Sequence, residues 1–344
     1  MKEKVKERID KYLTDLRFKR KRNLIEQSLI GALSIYRKLN KILVESDNIT
    51  ISKWYLHSKK LTRSIIGGRI SFVTLDELFV WTNKWLRSFP TTYDVIVGIP
   101  RSGLLVAGII ATKLGKPFTT PELFIQNRFW ISKEIANAKK GEYKNILLVD
   151  DTMGRGETIE RNFQLLRSHR ENLNITKAAL IATEASKDSV DLYYKIINFP
   201  RVTEWNLLDT KQWKLASDLD GVICENCPPG VDSNEELYTA WIKNAKPYLI
   251  PTFEIDMIVS SRLEKYRSDT QKWLARHGVR YKELFLWDIQ SKQERKGKNA
   301  QHKMEVFLRK KPDMIWESSF HESVQIWEGT KISTLCIDKM ILFS

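Results

Sequence analysis

A chain of 344 residues, 42% hydrophobic and 29% charged, has the length for two domains of ordinary size and an apolar content that excludes global disorder. The most apolar stretch, Val95 to Leu114, is broken by Pro100 and Arg101, so no segment approaches the roughly eighteen clean apolar residues of a membrane helix. A formal net charge of +15 predicts polyanionic or phosphorylated partners, and three cysteines (Cys224, Cys227, Cys336) exclude a disulfide framework and predict a reducing, cytoplasmic setting.

Residues 1–65 read as helical, with Val5, Ile9, Tyr12, Leu13 and Leu16 at helical spacing and Leu29, Leu33, Tyr36, Leu39 and Leu43 repeating it. This segment is charged and has no secretory leader pattern; its basic run, Arg17 to Arg22, is either a solvated helix face or a contact for nucleic acid. From about residue 70 short apolar strands alternate with helices. Strands are predicted at 93–99, 145–150, 178–183 and 192–197, with a helix after the first stopped by Gly115. Pro200 and a polar stretch break the pattern around 198–213. It then restarts with strands at 214–220, 255–261, 281–288, 312–318 and 332–338, and a helix over 264–278. Continuous apolar strands joined by helices predict parallel sheets covered on both faces, whose sites form at the carboxyl ends of the strands.

Two acidic stretches sit at such ends. The first, Asn145 to Ile159, delivers Asp150 and Asp151 and then a turn with Gly154, Gly156 and Thr158 before a helix. Glycines let backbone N–H groups converge on an anion, and the helix N-terminus adds partial positive charge. Carboxylates beside that cradle would repel a phosphate unless they hold hydroxyls or a metal, so the residues point to a sugar phosphate. The same stretch resembles the PRPP-binding signature of type I phosphoribosyltransferases. The resemblance implies that Asp150 and Asp151 hold the ribose hydroxyls and that Gly154, Arg155, Gly156, Glu157 and Thr158 form the 5′-phosphate loop. Upstream, "VGIPRSG" (97–103) is similar to the family's pyrophosphate loop, which assigns Arg101, Ser102 and Gly103 to the diphosphate, with Mg²⁺ bridging its oxygens. The chain departs from the family at Gly154, where threonine or aspartate is common and could contact the base, and at Arg155, where threonine or alanine is common. The polar segment 122–144 fits a mobile lid, with Lys139 and Lys140 as its basic groups.

In the second stretch, Leu215 to Cys224, Asp218 and Asp220 follow a strand two positions apart. A lone pair of this kind is common on surfaces, and the order of Ser260, Lys303 and Glu317 at later strand and helix ends gives it weight. That order resembles the haloacid-dehalogenase (HAD) phosphatases, and "IVSSRLEKYRSDTQKWLARHGV" (258–279) is similar to members of that superfamily. The resemblance implies Asp218 as nucleophile, Asp220 as the acid for the leaving oxygen, Ser260 and Lys303 on the phosphoryl group, and Glu317 with Asp218 and the Asp220 carbonyl on Mg²⁺. About forty residues separate Asp220 from Ser260 and Ser260 from Lys303, which leaves little or no room for a cap. Cys224 and Cys227 form a lone CxxC without a second ligand pair, and the five histidines show no ligand spacing.

The expected architecture is therefore α/β: a helical extension (1–65), a type I phosphoribosyltransferase parallel-sheet domain (66–210) and a HAD-like Rossmannoid domain (211–344). The order of the two domains, with "EWN" (204–206) before the second, is similar to phosphoribosyltransferase–hydrolase fusions. The implied function is bifunctional: phosphoribosyl transfer between PRPP and a base or nucleotide, and phosphate-monoester hydrolysis. The competing reading is a PRPP- or nucleotide-sensing, nucleic-acid-associated regulator or defence effector on the same folds. Homo-oligomerisation and the direction of transfer are left open by the sequence.

Overall fold

The computed structural model describes residues 70–89, 92–132, 143–211, 213–289 and 297–344. The chain divides into two units, residues 1–68 and 69–344, and every described residue belongs to the second. The expected N-terminal helices, the basic run Arg17–Arg22 and the Lys139–Lys140 pair lie outside the described residues.

Strand β1 (Ser71–Val73) leads into helix α1 (Leu75–Trp85), which starts on a reciprocal cap: Thr74 Oγ1 accepts the Glu77 N–H and the Glu77 carboxylate accepts the Thr74 N–H. Then follow β2 (Val95–Gly98), α2 (Gly103–Leu114), β3 (Phe118–Thr119), α3 (Pro121–Ile125), β4 (Asn145–Thr152), α4 (Glu157–His169), β5 (Asn174–Ala182) and β6 (Leu192–Ile196). Five of these strands form one parallel sheet in the order β3-β2-β4-β5-β6. The pleat of β4 shows why its sequence is continuously apolar. Leu147 and Val149 face one layer with Ile96, Val106 and Ile110, while Ile146 and Leu148 face the other with Val97, Ile159 and Leu166. Each such side chain contributes about 1.5–3 kcal/mol by leaving water.

The predicted break at 198–213 is a structural element. It contains β7 (Arg201–Thr203), which pairs in parallel with β1, and a single 3-10 turn at Glu204–Asn206. Arg201, Val202 and Thr203 are all buried, so a two-stranded ribbon lies within the interruption of the pattern. Its pleat joins two cores: Phe72 and Val202 pack with Leu215, Leu219 and Trp273, whereas Val73 packs with Leu78 and Ile96.

The second sheet has the order β10-β9-β8-β11-β12-β13, built from β8 (Leu215–Ser217), β9 (Ile255–Leu263), β10 (Tyr281–Trp287), β11 (Met314–Glu317), β12 (Ser333–Cys336) and β13 (Ile341–Phe343). All pairings are parallel except that of β13 with β12. Helices α5 (Glu235–Asn244), α6 (Arg267–Arg276), α7 (Asn299–Lys310) and α8 (Phe320–Thr330) complete it. The helix expected over 264–278 is shorter, because its first three residues form a 3-10 turn. No helix among the described residues is long and apolar enough to cross a membrane.

Candidate functional sites

Both sheets change winding direction at one place. In the first, the chain passes from β2 outward to β3 and returns to the other side of β2 as β4; in the second, β8, β9 and β10 run one way and β11 returns beside β8. The loops at the carboxyl ends of two such neighbouring strands diverge and leave a crevice. The four loops concerned carry most of the residues singled out in the sequence.

At the first crevice β4 continues through Thr152, two residues beyond expectation, so Asp150 and Asp151 are part of the strand and both are buried. The Asp151 N–H donates to Asp150 Oδ1 at 2.9 Å. Both oxygens of Asp151 accept neutral donors, Ser102 Oγ–H at 2.8 Å on Oδ1 and Trp205 Nε1–H at 2.6 Å on Oδ2. Burial, with the Asp151 charge next to it, holds the Asp150 carboxyl well above the usual carboxylate range. The loop after β2 comes against this pair: a Cβ on Gly103 would lie 2.9 Å from the Val149 carbonyl oxygen, which only glycine allows.

The turn 154–156 leads into α4 without a side-chain cap, so the first N–H groups of the helix remain available to an anion. Gly156 has φ +85°, a left-handed backbone that favours glycine. Thr183 Oγ1–H donates to the Gly154 carbonyl at 3.0 Å and fixes the loop from behind. Arg155 and Glu157 are exposed, with side chains 89% and 79% accessible and 4.0 Å apart, so neither is turned into the crevice. Thr158 is also exposed. Arg101 stands at the rim, but its guanidinium donates to Asn206 Oδ1 at 3.0 Å and is paired with Asp209.

Three residues at this crevice were not read from the sequence. Trp205, from the "EWN" turn, caps Asp151. Buried Arg201 donates to the Met153 carbonyl at 2.8 Å, and its guanidinium is lowered by burial to about 10 against the charge of Asp151. Phe199 is exposed, lies under Arg201 and comes within 3.4 Å of the place where a Gly154 side chain would start. Arg201 and Phe199, together with Thr152, Asn206 and Trp213, line a cavity of about 150 Å³. The "FPR" triplet was a legible signal, an aromatic and a cation in an otherwise β-branched run.

At the second crevice Lys303, at the start of α7, is buried and donates to Asp218 Oδ2 at 2.7 Å, Glu317 Oε2 at 2.7 Å and Glu322 Oε2 at 3.0 Å. Burial works against its charge, yet the three carboxylates raise the ammonium well above its ordinary value. Burial also raises Asp218 well above the carboxylate range; Lys303 opposes this, while Glu317 and Asp220 add to it. The Asp218 carboxylate additionally accepts the Leu219 N–H at 2.8 Å.

Asp220 is held by a residue the sequence reading passed over. Arg262, fully buried, donates from Nη2 at 2.6 Å and from Nε at 3.0 Å to Asp220 Oδ1. Cys224 completes this contact with its Sγ 3.3 Å from Asp220, and burial pushes its thiol up, so the CxxC motif supplies packing here and no disulfide. Gly221, at φ +80°, brings the loop against Ser318, whose Oγ–H donates to the Asp220 carbonyl at 3.2 Å.

Ser260 is buried with its oxygen accepting the Arg262 N–H, whereas the adjacent Ser261 lines the cavity of about 220 Å³ formed by Asp218, Asp220, Lys303 and Glu317. Alternation along β9 accounts for this, since neighbouring strand residues face opposite sides. The insert after Asp220 is small, but it supplies a wall: Asn226, Cys227, Asp232 and Tyr238 line the same cavity. Among the described residues no group of three or more His, Cys, Asp or Glu side chains forms a metal cage. The donor set nonetheless suits a hard cation, because three carboxylates share one ammonium and all offer oxygen.

Comparison with known proteins bears on residues 72–207, which match the phosphoribosyl transferase domain family. No curated protein matches the chain. Among solved structures, Helicobacter pylori xanthine-guanine-hypoxanthine phosphoribosyltransferase is similar at 13% identity and a TM-score of 0.32, over 40% of this chain and 93% of that one. A purine phosphoribosyltransferase from Pyrococcus horikoshii is 20% identical, with a TM-score of 0.30 over 40% and 94%. Orotate phosphoribosyltransferase from Aeropyrum pernix is 15% identical, with a TM-score of 0.26 over 39% and 72%. The stretch that matches the phosphoribosyl transferase domain family runs from β1 through the 3-10 turn and holds both acids and the glycine turn.

Proposed function

We propose that the chain is a bifunctional enzyme that transfers a phosphoribosyl group between PRPP and a nitrogenous base, and hydrolyses a phosphate monoester at its second site. The observation that carries the first activity is the placement of Asp150 and Asp151 at the crevice of a domain that matches the phosphoribosyl transferase family, beside an uncapped helix N-terminus. Ribose hydroxyls donate to the acids, the N–H groups of the turn take the 5′-phosphate, and Arg101 and Ser102 take the diphosphate. The bond from the anomeric carbon to the diphosphate oxygen breaks as a base nitrogen bonds to that carbon. Most of the rate comes from positioning the two reactants and from neutralising the leaving group. The cavity between Phe199 and Gly154 is the place for the base; the aromatic face stacks on it, and no ionisable side chain at position 154 assists it.

For the second activity the support is the strand order of the second sheet, with Asp218 after its central strand β8 and Lys303 against it. Asp218 attacks phosphorus, the bond to the leaving oxygen breaks, and Asp220 supplies that oxygen with a proton. Water then releases phosphate from the aspartyl group. Lys303 and the Ser261 wall face the phosphoryl oxygens, and Arg262 keeps Asp220 in position. Asp218, Glu317 and the Asp220 carbonyl would hold Mg²⁺, which when bound neutralises phosphoryl charge.

The test separates the two halves. Diphosphate release from PRPP with a panel of bases is expected, and Asp150→Asn with Asp151→Asn reduces it at least about a hundredfold, since the ribose is no longer held. Phosphate release from nucleoside monophosphates is expected to be lost in Asp218→Asn alone. PRPP binding without turnover under any acceptor would favour a sensor. Absence of both products and of binding would refute the enzyme reading.

A further inference from the structure

The chain's own linker sits on the groups assigned to PRPP. The Trp205 Nε1–H donates to Asp151 Oδ2 at 2.6 Å, on the acid expected to take a ribose hydroxyl. Arg101, expected at the diphosphate, donates to the Asn206 amide oxygen at 3.0 Å and pairs with the Asp209 carboxylate. The Asn206 amide also reaches Ser102 Oγ at 3.5 Å. The polarity is that of the ligand at both ends. A donor covers the carboxylate that would take O–H groups, and anionic or amide oxygens cover the cation that would take diphosphate oxygens.

We propose that residues 205–209 are a built-in occupant of the ribose and diphosphate subsites, which PRPP displaces on binding. The inference rests on the PRPP reading of Asp150 to Thr158. The turn is anchored outside the crevice on each side. Before it, β7 pairs with β1; after it, the Leu208 carbonyl accepts the Thr252 N–H at 2.8 Å and the Thr252 hydroxyl at 3.1 Å. Displacement therefore means rotation of half-buried side chains on a fixed backbone, which costs few contacts. Ribose 5-phosphate frees only the Trp205 half and diphosphate only the Asp209 half, whereas PRPP replaces both sets of bonds at once.

The two halves are unequal. Trp205 acts on a carboxylate buried to 2% exposure, where a hydrogen bond is strong, while Arg101 is largely in solvent and Asp209 partly so, where an ion pair contributes less. Trp205 is thus the dominant competitor. Trp205→Phe keeps an aromatic ring, smaller than the indole, beside the first core and removes the N–H.

The experiment is calorimetric titration of the full chain with PRPP and, separately, with ribose 5-phosphate. Trp205→Phe is expected to bind PRPP roughly tenfold more tightly, equivalent to about 1.4 kcal/mol. Ribose 5-phosphate should gain by a similar factor, because it displaces the same Trp205 bond; adding Asp209→Ala should tighten PRPP further by a smaller factor and leave ribose 5-phosphate unchanged. Unchanged or weaker PRPP binding in Trp205→Phe overturns the proposal and makes Trp205 a support for Asp151 instead. If that result comes with PRPP binding that Asp150→Asn plus Asp151→Asn abolishes, only the occupant idea falls. If wild type and every variant, each folded by circular dichroism, fail to bind PRPP, the PRPP reading falls and takes the proposal with it.

Discussion

Replacing Lys303 by methionine tests whether the second crevice is an electrostatic construction or a packed one. The side chain is 4% exposed and bonds to Asp218, Glu317 and Glu322, whose side chains are 8%, 1% and 22% exposed. Methionine is close in volume, so the transfer and cavity costs of Lys303→Met are small, and what remains is the loss of a buried cation. Removing one partner of such a cluster costs about 3–5 kcal/mol, because the other charges stay buried and uncompensated. The pH dependence identifies the cause. In the wild type, burial already raises Asp218, and Lys303 is the group that lowers it. Without Lys303 the Asp218 carboxyl rises further, so the folded chain holds a proton that the unfolded chain releases near pH 3.9. Between those two values the folded state binds more protons, and stability increases as pH falls. The loss in Lys303→Met should therefore be largest near pH 7.5 and shrink by about 1–2 kcal/mol toward pH 5. Urea unfolding followed by tryptophan fluorescence measures it, with the transition of the second sheet as the one that shifts. Adding Glu317→Gln should recover part of the loss, a non-additive response expected of groups in contact. A loss below about 1 kcal/mol, or one that does not change with pH, would refute the charge account.

Asp256 gives the opposite pH signature. It accepts the Leu215 N–H and pairs with Lys211 and Lys282; although burial raises its carboxyl, these contacts win and bring it down to about 2. Its contribution is fully present above the unfolded value near 3.9 and is lost as pH falls through the folded value near 2. The shift corresponds to at most about 2.5 kcal/mol, reduced to about 1–2 kcal/mol because Lys282 is half in solvent. Asp256→Asn should lose this amount at pH 7 and unfold at the same acid midpoint or above it; equal stability at pH 7 would show that the pairs contribute nothing. Gly156→Ala should cost about 1–2 kcal/mol, because φ is +85° and the new Cβ would stand 3.1 Å from Ser189 Cβ. Gly154→Ala should be nearly neutral, since the nearest atom of Phe199 is 3.4 Å away. Thermal melts that rank the two glycine variants the other way would contradict the loop geometry.

The strand cores were legible because burial on both faces leaves a continuous apolar run, as in Ile146 to Val149, and the acids were legible because they interrupt such a run at its carboxyl end. What stayed hidden are contacts of high sequence separation. Trp205 lies 54 positions from Asp151, and Arg262 lies 42 from Asp220, and no local pattern announces either pairing. Arg262 in particular reads as a surface cation after a strand; only the closure of the loop 218–224 onto β9 puts it in the interior. Ser260 and Ser261 show the same limit at shorter range. Two adjacent serines at a strand end face opposite ways, and composition does not say which one meets the cavity. The ribbon inside the break at 198–213 stayed hidden for a related reason, since proline and polar residues mark an irregular chain path equally well whether it is a spacer or a ribbon packed against two cores.

The segment from Arg201 to Lys211 shows how the two crevices are mechanically related. It donates to the Met153 carbonyl through Arg201 and to Asp151 through Trp205, and it reaches the second sheet through the Leu208 carbonyl on Thr252 and through Lys211 on Asp256. Its attachments to the first crevice are single hydrogen bonds that a polar ligand can replace. Those to the second sheet are a backbone pair, a buried apolar residue, Leu207, and a low-lying carboxylate with two cations. When a ligand competes for this segment, the weaker set gives way first. Ligand binding at the acids of the first sheet is therefore expected to release the side chains of this segment from the first crevice while leaving it attached to the second sheet, an asymmetry set by the kinds of bond at each end.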